Sequence, residues 1–319
     1  MLHEFALSPD VFFSSAFGVN TDLGAFIPGE AHGHLALASL WKGLECFGVI
    51  RNLSDGEWGR ALDDPHVDLH PRSRELLKNL RLKGRVVHAT ARIAGIPTTE
   101  GDWLAEAVVS HAIEPKITQF FGTDEFCGSL KAVDHKNLPK GISKIPFCLP
   151  FSGGGSSINV KRNIDAYIDV LRPLIKYSRS LMFIDPYLDL SAPNYKDFLT
   201  LLRTIASMNP LADIELHRQI KPAHGEQIRT ASIWKQNFDQ VISADPDLSK
   251  LSIKVFIWDE FHDRYFVSNL MGISVPHGFD TTKKDEATRW SMLSTQDAND
   301  VRDEFTDGDP QFRRTLLRN

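Results

Sequence analysis

The chain has 319 residues and a mass of 35.8 kDa, enough for one large domain or two of ordinary size, and its 42% of hydrophobic residues can form a substantial core. With 36 Lys and Arg residues against 41 Asp and Glu residues the net charge is −5, which excludes a uniformly basic nucleic-acid coat protein and an acidic disordered chain. Any site for a polyanion must therefore be local.

The sequence favours a cytoplasmic protein without a metal or a cofactor. No apolar stretch approaches the roughly 20 residues that span a bilayer, and Met1–Phe5 lack the basic flank and apolar run of a signal peptide. Free thiols are favoured over a disulfide framework or a zinc site, because the three cysteines are widely spaced: Cys46, Cys127 and Cys148. Surface or capping roles are favoured for two histidine pairs without nearby ligands: His32 with His34, and His66 with His70.

The first half of the chain has an incomplete pattern of helices and strands. Helices are predicted over Leu35–Leu44, after Ser54-Asp55-Gly56-Glu57 and over Arg72–Leu82, with strands at Val86-Val87 and Ile117–Phe121. The spacing of Ser54 and Glu57 fits a capping box, in which each side chain bonds the other's backbone N–H. We therefore expect residues 1–150 to form an α/β or mainly helical domain with a recognition or regulatory role.

A basic cluster surrounds the third of these helices: Arg72, Arg74, Lys78, Arg81, Lys83 and Arg85. It fits either a solvated helix face or a contact with a nucleic-acid backbone. Tryptophans are scattered singly, which is typical of core or interface anchors rather than a base-stacking platform: Trp58, Trp103, Trp234, Trp258 and Trp290.

A stretch rich in Pro, Gly and Ser separates the two halves. Pro139, Pro146 and Pro150 lead into Phe151-Ser152-Gly153-Gly154-Gly155-Ser156-Ser157, a composition that suits a linker or an exposed loop. We therefore place a domain boundary after residue 150, with a second domain over residues 151–319.

The second half alternates helices and strands. The elements predicted in chain order are a helix over Ile164–Ile175, a strand at Leu181–Ile184, a helix over Tyr195–Ile205, a strand at Ile214–Leu216, a helix over Ile228–Ile242 and a half-buried strand at Leu251–Trp258. Pro173 is expected to kink or shorten the first helix. Two further strands, Tyr265–Val267 and Ile273–Val275, are joined by a hairpin turn. This alternation predicts an α/β sandwich.

Residues with functional chemistry crowd into one span: Asp259, Glu260, His262, Asp263, Arg264, Asn269, His277 and Asp280, with Gly272 and Gly278 between them. In an extended chain His262 and Arg264 project to the same face. The pair suits a phosphate, because a guanidinium binds two phosphoryl oxygens and an imidazole attacks phosphorus or moves a proton. Gly278 lets backbone amides approach the same oxygens. A salt bridge with Asp259 or Asp263 is the structural alternative.

These residues resemble a known family. His262-x-Arg264-x-x-x-x-Asn269, with Pro276-His277-Gly278-Phe279-Asp280, is similar to the HxKxxxxD motif and trailing segment of the phospholipase D superfamily. More closely, His262-Asp263-Arg264 with Asn269, Gly272, Gly278 and Asp280 resembles the HDR signature of the phospholipase D-like domain of MIT-domain proteins and bacterial relatives. Asp185-Pro186-Tyr187 matches the upstream Asp-Pro-Tyr of that domain. The resemblance covers roughly residues 160–285.

The resemblance implies a phospholipase D-like mixed-sheet sandwich in the second half and a homodimer. In active members two motif copies face each other without a metal, and one His is phosphorylated while the other protonates the leaving oxygen. This chain has one copy, because the adjacent His217 and Arg218 would project to opposite faces of a strand. A complete site would therefore join His262 of two protomers.

The roles that the resemblance implies are His262 as nucleophile or acid, Arg264 as phosphoryl clamp, Asn269 as hydrogen-bonding orienter, and Asp280 or Asp263 as the carboxylate that steers the partner imidazole, with Asp259, Gly278, His277 and Asp185 in supporting or phosphate-binding positions. The chain departs from the superfamily motif at two positions, where Arg264 replaces Lys and Asn269 replaces Asp. These departures weaken the case for catalysis more than the case for binding.

Two classes of function lead, ahead of a structural adaptor in which the His262-Asp263-Arg264 segment is only a folding hairpin. The first is a metal-independent phosphodiesterase or nuclease, a hydrolase that binds and cleaves nucleic acid; stand-alone bacterial relatives resemble components of anti-phage defence. The second is a non-catalytic module that binds phosphate or phospholipid and recruits a partner, as the MIT-associated relatives imply. In both, the N-terminal domain is available to a partner protein.

Overall fold

The protein divides into two compact units, each with its own sheet. The structure is a computed structural model that describes residues 2–17, 40–89, 95–114, 117–132, 155–220, 229–306 and 314–318. The units are Leu2–Gly154 and Gly155–Asn319. The predicted linker and the start of the first predicted helix fall largely outside the described residues. No described helix is long and apolar enough to cross a bilayer.

The N-terminal unit is built on a four-stranded parallel sheet, ordered β3-β2-β1-β4. Its strands are β1 (His3–Leu7), β2 (Gly48–Asn52), β3 (Val86–His88) and β4 (Ile117–Phe121), and its helices are α1 (40–47), α2 (Glu57–Asp63), α3 (Pro71–Leu82), α4 (Glu100–Ile113) and α5 (Asp124–Ala132). The helices supply apolar side chains to one core with the strands. The α/β alternative for this half is therefore confirmed, and the mainly helical one is wrong.

The predicted capping box at Ser54 is wrong. Ser54 and Asp55 adopt positive φ angles of 52° and 55° in a short 3-10 turn, and α2 begins after Gly56 without a side-chain cap. Ser54 thus lies two residues before the N-cap position of the helix, which Gly56 occupies. A capping box occurs instead at α4, where Thr99 and Asp102 bond each other's backbone N–H.

The C-terminal unit is built on an eight-stranded mixed sheet, ordered β12-β8-β7-β6-β9-β10-β11-β5. Its strands are β5 (Ser157–Lys161), β6 (Ser180–Ile184), β7 (Asp213–Gln219), β8 (Ser252–Trp258), β9 (Tyr265–Ser268), β10 (Gly272–Ser274), β11 (Ala287–Met292) and β12 (Arg314–Arg318), and its helices are α6 (Ile164–Tyr177), α7 (Phe198–Met208), α8 (Ala231–Ser243) and α9 (Thr295–Glu304). The α/β prediction for this half is confirmed.

The strand directions place the ends of several strands along one edge of this sheet. β6, β7 and β8 are parallel, and β9 is antiparallel to β6. β10 is antiparallel to β9, so it ends where β6 ends. We call this the carboxyl edge: the ends of β6, β7, β8 and β10 and the start of β9. In open α/β sheets ligands bind at the edge where parallel strands end.

Helices cover both faces of the sheet. Arg218 in β7 contacts Trp234 of α8, whereas its neighbour His217 contacts Phe305, which follows α9. Since successive strand residues point to opposite faces, α8 and α9 lie on opposite sides. The prediction that His217 and Arg218 diverge is therefore confirmed.

Several predicted elements differ from the structure in extent. α6 continues for four residues past Pro173, so of the two predicted effects, a kink or a shortened helix end, the shortened end is wrong. β7 runs from Asp213 to Gln219, longer than predicted, and β8 is buried on both faces near its end rather than half-buried. Its end is covered because Phe256 and Trp258 pack with Phe305 on one face.

Candidate functional site

Three chemistry-bearing side chains lie side by side at the carboxyl edge. Ile184 of β6 pairs with His217 of β7 and with Tyr265 of β9. Continued by one residue, the same register sets Asp185, which follows β6, beside Arg218 of β7 and Arg264, which precedes β9. The bond from the Asp185 N–H to the His217 carbonyl and the contact of Asp185 with Arg264 agree with this placement.

Asp185 is a fully buried carboxylate at the centre of this row. Its Oδ1 accepts a hydrogen bond from the Tyr187 backbone N–H at 3.0 Å. Its Oδ2 accepts bonds from the Tyr195 hydroxyl at 2.9 Å and the Phe279 backbone N–H at 3.1 Å. Burial raises the pKa of Asp185, against the opposing effect of these donors and of Arg264. The carboxyl group thus joins three chain segments and has a supporting position.

Arg264 lies against Asp185 and has a partly exposed side chain. Its Nε lies 3.7 Å from Asp185 Oδ1, and its Nη1 donates to the Pro276 carbonyl at 3.3 Å. Its guanidinium carbon lies 5.2 Å from the centre of the Tyr187 ring. The side chain is 26% exposed. A guanidinium has five N–H donors, so several of them can meet an incoming anion.

Gly278 allows the turn after β10 to pass close to this pair. Its φ is +58°, and a Cβ built on it would overlap the Asp185 carboxylate and lie 3.2 Å from Arg264 Cδ. A side chain is therefore excluded by backbone conformation and by space. The predicted glycine position is essential here, and its neighbour Phe279 uses the close approach to bond Asp185.

Asp280 is engaged by residues that the sequence analysis did not identify. The buried Arg162 places Nη2 3.1 Å from Asp280 Oδ2 and Nη1 3.5 Å from Glu286 Oε2. The Tyr167 hydroxyl donates to the Asp280 carbonyl at 3.3 Å, and burial raises the pKa of Tyr167 to about 12. Asp280 therefore fixes the turn after β10 through its bond with Arg162.

The histidines of the predicted site lie on its surface. His262 has an exposed side chain, 77% accessible, with Nε2 3.7 Å from Glu260 Oε1. The exposed His277 places Nδ1 3.1 Å from Thr288 Oγ1. Asp259 and Asp263 are exposed beside His262. His262 and Arg264 lie in the segment 259–264, which joins β8 to β9, and β9 begins at Tyr265.

Asn269 lies away from this cluster. It follows β9, whereas Arg264 precedes β9, so the strand separates them. Its Oδ1 accepts the backbone N–H groups of Arg179 and Ser180 at 2.7 and 3.4 Å, at the start of β6. Asn269 therefore stabilises the opposite edge of the sheet and is not placed to orient a group beside Arg264.

The structure also brings together charged residues that sequence reasoning missed. Arg218 stacks on the ring of the buried Trp234, and Arg229 lies over the same ring. Arg162 and Arg229 carried no sequence signal, because their partners Asp280 and Asp189 are distant along the chain. In the part of the chain that the structure describes, no group of three or more His, Cys, Asp or Glu side chains could hold a metal ion.

Comparison with known proteins gives no family for this chain. No family model matches, and no curated protein matches. The chain is similar to the solved structure of TrmBL2, an archaeal chromatin protein that binds DNA, with 11% sequence identity, coverage of 97% of this chain and 100% of that chain, and a TM-score of 0.28. A TM-score this low does not establish a shared fold, so the similarity carries no argument about function.

Proposed function

We propose that the C-terminal unit is a phospholipase D-like domain that binds phosphodiester groups of nucleic acid at its carboxyl edge. The observation that carries the proposal is the position of Arg264, whose guanidinium lies beside Asp185 and bonds the Pro276 carbonyl while its side chain is 26% exposed. A guanidinium held in place loses little conformational entropy when it binds a phosphate in its planar fork.

The neighbouring groups favour nucleic acid among phosphodiesters. Tyr187 is half-buried next to Arg264 and offers an aromatic ring near the phosphate position. Stacking of a base on such a ring adds about 1–3 kcal/mol per base. The exposed His262 and His277 add hydrogen-bond donors at the same edge.

Exposed carboxylates limit the surface that can meet a polyanion. Asp259, Glu260 and Asp263 surround His262 and repel phosphates. Binding is therefore local to Arg264 and its neighbours, in agreement with the negative net charge of the chain. Binding should weaken as salt increases, with a slope set by the few phosphates contacted.

Binding is better supported than cleavage in a single protomer. A nucleophilic imidazole needs a partner that fixes its orientation, and the ion pair that His262 makes with Glu260 is long, at 3.7 Å, and exposed. We therefore propose that one protomer binds, and that metal-independent cleavage is confined to a homodimer in which a second His262 completes the site.

Labelled single-stranded DNA, double-stranded DNA and RNA should be titrated with wild type, Arg264→Ala and Arg264→Lys in excess EDTA. Loss of the charge-assisted contacts should weaken binding about tenfold or more in Arg264→Ala, with partial recovery in Arg264→Lys. The matched control is Arg203→Ala, which removes another partly exposed arginine that is paired with a carboxylate, Asp245.

Near-ultraviolet circular dichroism should show that each variant is folded. Equal affinity of Arg264→Ala and wild type for every nucleic acid would contradict the proposal. Binding only to vesicles that contain anionic lipid would assign the site to lipid headgroups instead. Cleavage in EDTA by wild type, lost in His262→Ala, would establish turnover in addition to binding.

A further inference from the structure

We propose that Arg229 forms a second anion subsite at the carboxyl edge, so that the edge binds one nucleic-acid strand through at least two phosphates. This inference rests on the proposed function of Arg264 as the first phosphate ligand. It assigns the ligand as a polymer in which successive phosphates meet Arg264 and Arg229.

The second subsite is built on the ring of Trp234. This tryptophan is fully buried in the first turns of α8, so its ring is a fixed platform. The guanidinium carbon of Arg218 lies 3.2 Å from the ring centre and that of Arg229 lies 4.7 Å from it. Arg218 is buried, whereas the Arg229 side chain is 34% exposed. Arg229 is thus the member of this stack that can meet a ligand.

One short segment joins the two subsites. Tyr187 lies beneath Arg264, the Leu188 carbonyl accepts from Arg218 Nη1 at 3.0 Å, and Asp189 Oδ2 lies 3.2 Å from Arg229 Nη1. Two residues of chain span at most about 7 Å. The partners of Arg264 and Arg229 are therefore close neighbours, and the two partly exposed guanidiniums flank the same segment.

The charges around Arg229 allow it to bind an anion while it keeps its own partner. Asp189 is buried and contacts Arg229 through Nη1, which leaves other N–H donors of the guanidinium for a phosphate. Thr230 caps the thirteen-residue helix α8, which begins beside Arg229. The positive end of the helix dipole adds to the attraction for anions at this point.

The test compares a ligand with one phosphodiester against a ligand with several. The probes are the dinucleotide dTpdT and decathymidylate, each titrated with full-length wild type, Arg229→Ala, Arg229→Lys and Arg264→Ala. Arg229→Ala should weaken decathymidylate binding about tenfold and leave dTpdT binding at Arg264 unchanged, while the slope of log affinity against log salt falls by about one. Arg229→Lys should retain most of the affinity and the slope.

Arg203→Ala is the matched control, because it removes a partly exposed arginine from another carboxylate pair. Equal weakening by Arg229→Ala and Arg229→Lys, with a lower melting temperature in both, would show that Arg229 only anchors α8 and would overturn the inference. No effect of Arg229→Ala on decathymidylate, while Arg264→Ala weakens both probes, would overturn the second subsite and leave the proposed function standing. If Arg264→Ala binds both probes as tightly as wild type, the proposed function itself is overturned.

Discussion

Gly278 positions the proposed phosphate ligand Arg264 through the carboxylate of Asp185. The Phe279 N–H reaches the Asp185 carboxylate only because Gly278 leaves space for it. Asp185 in turn faces the Nε of Arg264. The glycine therefore acts on the proposed phosphate ligand through the buried carboxylate, and its replacement should affect stability and binding together.

Gly278→Ala should destabilise the C-terminal unit by about 2–5 kcal/mol. About 1–2 kcal/mol comes from a non-glycine residue at positive φ, and about 1–3 kcal/mol comes from relieving the overlap of Cβ with the carboxylate. Urea denaturation gives the free energy of unfolding, and oligonucleotide titration should show weaker binding because Arg264 moves with Asp185.

The control is Gly84→Ala in the N-terminal unit. Gly84 has a φ of +68°, and a Cβ there would meet nothing within 4 Å. It should therefore carry only the conformational cost of about 1–2 kcal/mol, with unchanged oligonucleotide affinity. Equal destabilisation in the two variants would contradict the steric role of Gly278.

At the scale of elements, sequence patterns predict those strands whose burial produces a clear apolar pattern. The β9–β10 hairpin, β6 and α3 all lie within a few residues of their predicted positions. β5 and β11 were not predicted, because their sequences, SINVK and ATRWSM, are largely polar. β5 is the outermost strand of the sheet and β11 is its neighbour. Partly exposed residues there give a weaker hydrophobic pattern than the residues of a central strand.

Two sequences in this chain fit a capping motif, but only one of them caps a helix, because their backbone conformations differ. In the N-terminal unit the Thr99 side chain bonds the Asp102 N–H at the start of α4, whereas Ser54 has a buried hydroxyl without a partner among the described residues. Both sequences fit a capping box, but only Thr99 has the extended backbone conformation that the N-cap position requires.

Thr99→Ala should therefore lower the free energy of unfolding of the N-terminal unit by about 1 kcal/mol. Ser54→Ala serves as the matched control, and its effect should stay within about 0.5 kcal/mol because no cap is lost. Urea denaturation followed by circular dichroism measures both. A larger loss in Ser54→Ala than in Thr99→Ala would contradict the structural assignment of the caps.

At the scale of the whole molecule, site residues could be predicted where they lie close together in the sequence. Contacts between residues that only the sheet brings together could not be predicted. His262, Arg264 and Gly278 were identified from one local motif. The contact of Asp185 with Phe279 joins residues 94 positions apart, and that of Arg162 with Asp280 joins residues 118 positions apart. Such pairs depend on strand order, which a single sequence does not reveal. Asn269 lies at the opposite end of β9 from Arg264, because the strand separates these two residues of the motif.

Each unit has its own sheet and its own buried residues, so each should fold alone. We expect separately expressed fragments 2–154 and 155–319 to unfold cooperatively in urea, and the second to retain the Arg264-dependent oligonucleotide affinity of the full chain.

A fragment that starts at residue 162 lacks β5, which pairs with β11 through five residues. Since this exposes a sheet edge and removes backbone hydrogen bonds worth about 0.5–1.5 kcal/mol each, its urea midpoint should be clearly lower. Equal midpoints for the two C-terminal fragments would show that β5 does not stabilise this sheet.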